Sequence, residues 1–166
     1  MKKIILIALI GFGIYKQFFS LEEVVSSEYK FKIEFPFKPS IKTDVNKLPN
    51  IGRLKVTSYE MRKDELFCVV SVTDPLDNND SMGGVEDTIR PTKRHLTKGL
   101  GGTISSEDYV FSGSVKGYEV NLLDKNNKLV KNRTFIYENN AYGLLCSFSN
   151  AHVADVDAFM QSFSFI

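Results

Sequence analysis

Tryptophan is absent from this chain of 166 residues, and cysteine and histidine occur only twice each. Two cysteines are too few to build a disulfide scaffold, so the fold must depend on a hydrophobic core. Neither histidine has a second ligand at metal-binding spacing, which excludes a zinc motif. The chain also lacks an excess of either charge, because 21 basic and 20 acidic residues give a net charge of +1. That balance removes the electrostatic argument for nucleic-acid binding.

Catalytic motifs are absent as well. The sequence contains no glycine-rich phosphate loop, no G-x-S-x-G nucleophile elbow and no paired-carboxylate motif. His95 and His152 are available as bases, but no local signature connects either of them to a cysteine nucleophile. We therefore expect a protein that is not an enzyme and that carries no cofactor and no metal ion.

The feature that is present is an amino-terminal segment with the order of a secretory signal. Lys2 and Lys3 precede an unbroken apolar run from Ile4 to Ile14, and this order is typical of export to or across a membrane. No cysteine follows the run, which excludes a lipoprotein. A signal peptidase needs small residues at the third and first positions before its cut, and bulky Phe18 disfavours a cut after Ser20. We interpret residues 1–20 as a signal sequence or an uncleaved membrane anchor, and we favour the uncleaved anchor over a cleavable signal. A buried helix of a cytosolic domain is the less favoured alternative, because such helices rarely begin at Met1 behind paired lysines.

The rest of the chain is long enough for one domain. Residues 21–28 are predicted to be a polar connector, and residues 29–166 to be the folded part. If the anchor is retained, we expect the domain to lie on the exported side of the membrane. If the leader is cleaved, the domain is expected to be periplasmic or secreted.

Seven strands and two helices are predicted within the folded part. Alternating apolar and polar residues, bounded by short polar turns, predict the strands. These strands cover residues 29–35, 53–62, 66–73, 103–111, 115–123, 129–137 and 141–148. The helices cover residues 85–100 and 153–162. Because such short turns can join only antiparallel strands, the fold class is α+β, with an antiparallel sheet of about six to seven strands and two packed helices.

Two of these elements contain an irregularity. The apolar phase slips within the strand at 53–62, and this slip predicts a β-bulge near Thr57. Pro91 lies inside the first helical segment and cannot donate a backbone hydrogen bond. It predicts either a helix that starts near Ile89 or a short turn followed by a longer helix.

Four short motifs accompany this order of elements. They are Phe35–Pro39 after the first alternating strand, Gly117-Tyr118 in a middle strand, Arg133–Phe135 with Tyr142–Leu144 in a late hairpin, and Phe159–Phe165 at the end. Together they resemble the PsbP/DcrB-like superfamily. The resemblance implies an exported or lumenal accessory domain with a central antiparallel sheet between helical layers. The chain lacks the lipoprotein cysteine of many bacterial members, and the resemblance transfers no functional residue.

The candidate binding residues are Arg90, Lys93, Arg94 and Lys98 on the first helix, next to His95. Arg90, Arg94 and Lys98 recur every four residues and so share one side of that helix. A solvated charged face is the preferred interpretation, because such runs are common on helices. The functional alternative is a contact with anionic lipid headgroups or with an acidic partner.

Cys68 and Cys146 each lie in a predicted strand among apolar neighbours. An exported protein could join them in a disulfide, but the sequence cannot bring their Cα atoms to bridging distance. Two buried thiols are the preferred interpretation.

Four further side chains bear on possible sites. Asp74, Asp77 and Asp80 suggest a calcium loop, but the spacing does not fit an EF-hand, so turn formation is the preferred interpretation. Arg133 shares a strand face with aromatic residues. It needs either a carboxylate partner or a position at the sheet edge, and the edge is preferred over a ligand-anchoring role.

The sequence thus predicts a non-catalytic accessory or binding domain of the cell envelope, whose partner is another envelope protein. The alternative is an immunity or inhibitor protein that acts on a toxin or an enzyme in the same compartment.

Overall fold

The computed structural model describes residues 21–48, 52–77 and 82–166. The predicted leader or anchor, residues 1–20, lies outside the described residues. None of the helices in the described ranges is both long enough and apolar enough to cross a membrane.

The described residues form ten strands, two α-helices and one turn of 3₁₀-helix. In chain order these are β1 (Glu22–Ser26), β2 (Phe31–Phe35), β3 (Ser40–Leu48), β4 (Gly52–Lys63), β5 (Leu66–Pro75), α1 (Val85–Leu100), β6 (Thr103–Ser112), β7 (Val115–Leu123), β8 (Leu129–Tyr137), β9 (Asn140–Phe148), the 3₁₀ turn (Asn150–His152), α2 (Val153–Ser162) and β10 (Ser164–Phe165). The predicted α+β class and both predicted helices are confirmed.

The molecule has three layers. A seven-stranded antiparallel sheet in the order β3-β4-β5-β9-β8-β7-β6 forms the middle layer. Helix α1 covers part of one face of this sheet, and the other face carries α2 with a small sheet in the order β1-β2-β10.

The large sheet consists of two halves that meet at one seam. Strands β3, β4 and β5 follow one another along the chain, as do β6, β7, β8 and β9, and each neighbour pair within a half is antiparallel. Only the pairing of β5 with β9 joins the two halves. Helix α1 is the connection between them.

The main core lies between the large sheet and the layer of β2 and α2. Phe31, Ile33 and Phe35 are each at most 1% exposed, and they alternate with exposed residues along β2. Their side chains meet Phe159 and Met160 of α2, both 1% exposed. Burial of a full aromatic or aliphatic side chain contributes roughly 1.5–3 kcal/mol, so this core supplies the main stabilisation.

A second, smaller core holds α1 on the sheet. Val85 and Leu96 of α1 are buried against Tyr118, Val120 and Leu122 of β7, together with a neighbour from β8. The helix ends where Gly101 adopts a left-handed conformation with φ 64°, which a residue without Cβ accepts at little cost.

The predicted connector at 21–28 is wrong over Glu22–Ser26, which form strand β1. This strand pairs antiparallel with β2 over its whole length. Strand β3 was not predicted at all, because every described side chain from Ser40 to Lys47 is exposed and leaves no buried face to recognise. Both strands lie at sheet edges, where burial imposes the least pattern on the sequence.

The predicted bulge near Thr57 is also wrong. Strand β4 keeps an unbroken register with both of its neighbours. Thr57 instead occupies a core-facing position beside Tyr59, and its hydroxyl is 3.0 Å from the Tyr29 hydroxyl. A hydrogen-bonded threonine at an inward position explains the apparent slip in the apolar phase.

Pro91 neither starts nor splits the first helix, which begins at Val85 and runs through the proline. The start is fixed by a reciprocal cap, in which the Gly84 amide donates to the Asp87 carboxylate at 2.9 Å and the Asp87 amide donates to the Gly84 carbonyl at 3.1 Å. Pro91 is exposed, so water can hydrate the carbonyl group that lacks its usual helical donor.

Candidate functional site

Helix α1 presents a stripe of positive charge to solvent. Arg90, Arg94 and Lys98 are exposed, and we call these three residues the basic stripe. Their position follows from the helical period, because Val85 and Leu96 face the sheet and the basic residues recur on the opposite side. Among the described residues, none of the three forms a salt bridge.

Lys93, the fourth predicted residue, points elsewhere. It forms an ion pair with Glu107 on the edge strand β6. Hydrogen bonds from Lys93 and from Tyr118 hold the pKa of the Glu107 carboxyl below its usual value. Burial raises the pKa of Tyr118 to about 12, and its contact with Glu107 adds to this effect. Lys93 therefore ties α1 to the sheet and does not belong to the stripe.

A groove of about 370 Å³ runs beside α1, between the helix and the part of the sheet that the helix leaves uncovered. Its wall is α1 and its floor comes from β5, β8 and β9. Its lining includes one serine and four threonines, which are Ser71, Thr73, Thr88, Thr92 and Thr134.

The groove stays open because its floor is built from small residues. Ala141 and Gly143 of β9 lie beside Ser71 of β5. A Cβ atom on Gly143 would come within 3.0 Å of the Ser71 Oγ, so glycine permits the close approach. The Ser71 hydroxyl donates to the Gly143 carbonyl at 3.3 Å.

The groove and the basic stripe are contiguous. Arg94 and Lys98 line a shallow depression with Pro91, His95 and Gly99. Pro91 and His95 also line the groove. A ligand in the groove would therefore lie beside two exposed cations.

The preferred interpretation of two free thiols is wrong. Cys68 of β5 and Cys146 of β9 form a disulfide, and both are fully buried. They are directly opposite each other in the antiparallel pairing, with Cα atoms 4.2 Å apart. The sequence could not establish this proximity, because the two cysteines are 78 residues apart.

The preferred edge position for Arg133 is wrong too, and the carboxylate partner that was the alternative is present. Arg133 lies on β8, inside the sheet, where its Nε donates to Glu119 at 2.5 Å and its Nη1 to the Met160 carbonyl at 2.8 Å. Burial alone would raise the pKa of Glu119, but hydrogen bonds from Arg133 and Asn121 outweigh burial and lower it. The pair joins the sheet to the end of α2.

The remaining candidates do not assemble into a site. Asp77 accepts hydrogen bonds from the Arg53 backbone and guanidinium, and the backbone contact is the main reason that its pKa is lowered. Asp80 lies outside the described residues. His152 Nδ1 is 3.0 Å from the Asp155 carboxylate. In the described ranges, no group of three or more His, Cys, Asp or Glu side chains is arranged to hold a metal ion.

Comparison with a solved structure establishes the type of fold. The solution structure of the cyanobacterial PsbP protein (CyanoP) from Synechocystis sp. PCC 6803 superimposes with a TM-score of 0.58, over 88% of this chain and 92% of that one. This chain has a PsbP-like fold. The two sequences are only 9% identical, so the likeness concerns the fold and transfers no function. No protein-family model and no curated protein matches the sequence.

The strand order explains why the sequence revealed the basic stripe but not the groove. The stripe lies on one helix and follows from a four-residue period. The groove floor combines Ser71 and Thr73 with Ala141 and Gly143, which lie about 70 residues later in the chain. Small residues at alternate positions of each strand were the available signal, but only the strand order places them side by side.

Proposed function

We propose that this chain is an exported, non-catalytic binding domain of the cell envelope, and that it presents the α1 face to another protein. The observation that carries the proposal is the basic stripe next to an open groove. Three exposed cations that form no salt bridge within the described residues leave their charge available to a partner. Complementary charge on a partner speeds association and selects against wrong partners.

The disulfide supports the exported location. Disulfides persist in oxidising compartments and are rare in the cytosol, where thiols are kept reduced. Cys68 and Cys146 are fully buried, so the bond has no exposed sulfur for exchange with a redox partner and fits a structural role. The positively charged start of the chain and its apolar run favour the same location.

The location is tested in intact cells. Alkylation of free thiols before and after reduction should show that Cys68 and Cys146 react only after reduction. Alkaline washing should leave the protein in the membrane fraction if the leader is retained as an anchor. Recovery in the soluble cytosol with both thiols free would refute the location.

The binding face is tested by photo-crosslinking in the same cells. A benzophenone amino acid in place of Arg94 should crosslink a specific envelope protein. The matched control carries the same amino acid in place of Lys32, which is exposed on the opposite side of the molecule, in the small sheet. Crosslinks from Lys32 but not from Arg94 would contradict the proposal. A toxin or enzyme as the captured partner would point to the immunity or inhibitor function instead.

A further inference from the structure

We infer that the groove beside α1 binds an extended segment of a protein partner, with acidic side chains of that segment on Arg94 and Lys98. This inference rests on the proposed function and specifies the chemistry of the partner. It depends on three features of the groove, which are its length, the hydrogen-bonding character of its floor and the position of the cations.

The groove has the length of a few extended residues. On the helix side it runs from Thr88 to His95, which are seven residues apart and so span about 10 Å along an α-helix. On the sheet side it runs from Ala141 to Leu145, which span about 13 Å along a strand. An extended peptide advances about 3.3 Å per residue, so about three to four residues fit.

The floor and lower wall are rich in hydrogen-bond acceptors. The Ser71 hydroxyl donates to the Gly143 carbonyl, the Thr88 hydroxyl to the Val85 carbonyl at 2.6 Å, and the Thr134 hydroxyl to the Asn132 side-chain oxygen at 3.3 Å. Each hydroxyl has one proton, which these bonds use, and each keeps a lone pair that can still accept.

This pattern favours a peptide backbone over an isolated anion. A peptide backbone supplies N–H donors for the acceptors of the floor and carbonyl acceptors for its remaining donors, whereas a phosphate group supplies mainly acceptors. Asn132 Nδ2 gives one of its two N–H groups to the Leu144 carbonyl at 3.2 Å, and the other remains available to a carbonyl of a bound peptide. The small residues Ala141 and Gly143 leave room for a backbone to approach the sheet.

The cations lie at the rim and not in the floor. Arg94 and Lys98 are exposed and adjoin the groove through Pro91 and His95. Side chains of a bound segment that point out of the groove would reach them, which selects for Asp and Glu at those positions. The basic stripe thus gives the specificity, and the groove gives the position of the backbone.

The test selects binders from a random octapeptide library displayed on phage, with the full-length protein in detergent micelles as the target. We expect the selected peptides to be enriched in Asp and Glu, and their affinity to fall as salt rises. The double variant Arg94→Ala/Lys98→Ala should weaken binding about tenfold. Its matched control, Lys32→Ala/Lys38→Ala, makes the same change in charge at exposed positions of the opposite side and should bind as the wild type does.

Occupation of the groove is tested separately from charge. Thr92→Phe fills the groove and should reduce binding by more than tenfold. Thr97→Phe makes the same substitution on the same helix, outside the groove lining, and should leave affinity unchanged. Both variants are compared by thermal unfolding, so that a loss of binding is attributed to the groove only where the midpoint is retained.

The inference is overturned if no peptides are selected, if the selected peptides have no acidic bias, or if they bind the Thr92→Phe variant equally well. Competition by anionic vesicles or by inorganic phosphate is a further test. The inference is also overturned if either of them displaces the selected peptides from the stripe and does so equally well in the Thr92→Phe variant. In each of these cases a specific crosslink from position 94 would leave the proposed function standing, because a folded partner could use the stripe without entering the groove.

Discussion

Replacing Phe159 by alanine is expected to remove a large share of the stability of this domain. Phe159 is 1% exposed, and its ring lies edge-on to the Phe35 ring with centroids 5.0 Å apart. Truncation of a buried phenylalanine typically costs about 3–5 kcal/mol. Total stabilities of single domains are about 5–15 kcal/mol. At about 2–4 °C per kcal/mol for a domain of this size, a loss of about 4 kcal/mol lowers the unfolding midpoint by about 8–16 °C.

The matched control is Phe111→Ala, which makes the same chemical change at a side chain that is 67% exposed. A second control is Arg94→Ala on the exposed face of α1. Surface substitutions of this kind usually change stability by about 0.5 kcal/mol or less, so both midpoints should stay within about 2 °C of the wild type. The measurement is thermal unfolding of purified full-length proteins, followed by circular dichroism. Equal midpoints for Phe159→Ala and Phe111→Ala would show that the core between α2 and β2 is misplaced, and the three-layer arrangement would be refuted.

Three other expectations concern stability. Gly117→Ala should destabilise the domain by about 1–3 kcal/mol, because its Cβ would come within 2.4 Å of the Phe135 ring; Gly99→Ala, with nothing within 4 Å, is the control and should be neutral or stabilising. Glu119→Gln should cost about 1.5–3 kcal/mol at pH 7 through the weakened contact with Arg133. The folded-state pKa of Glu119 is lowered, so the wild type holds this contribution above the unfolded pKa of about 4.3 and loses it as the pH falls through the folded value. A gap between the midpoints of wild type and Glu119→Gln that does not narrow as the pH falls below the unfolded pKa would contradict that account. Replacement of both cysteines by alanine should cost about 4.5 kcal/mol on a chain-entropy estimate for a loop closed across 78 residues. The measurement is urea unfolding, and an unchanged midpoint would refute a structural role for the bond.

The periodic pattern of apolar residues predicted those strands whose residues alternate between buried and exposed and those helices whose buried residues lie on one side. Strand β2 alternates perfectly between buried and exposed residues, and the buried positions of α2 fall on one stripe; both were found from the sequence. Strand β3 has no buried described residue, so nothing in its sequence distinguishes it from a polar loop. Thr57 shows the converse error, because a polar residue at an inward position was interpreted as a break in the strand.

Features that need the strand order could not be predicted. The disulfide joins two strands that pair only because the halves of the sheet meet. Arg133 was placed at an edge because the sequence did not show that β8 has β7 on one side and β9 on the other. The basic stripe could be predicted from the sequence, because it lies on one helix. The sequence could not show that Lys93 forms an ion pair with Glu107 and so does not belong to the stripe.

The seam between the two halves of the sheet has a consequence for the rate and order of folding. Within each half, only a few residues separate neighbouring strands along the chain, and such strands can pair early because closing a short loop loses little chain entropy. The seam brings together Cys68 and Cys146 across 78 residues, and long-range pairing of this kind is slow. The paired strands hold the two thiols together only once both halves have formed, so we expect oxidation to be a late step in the maturation of the chain.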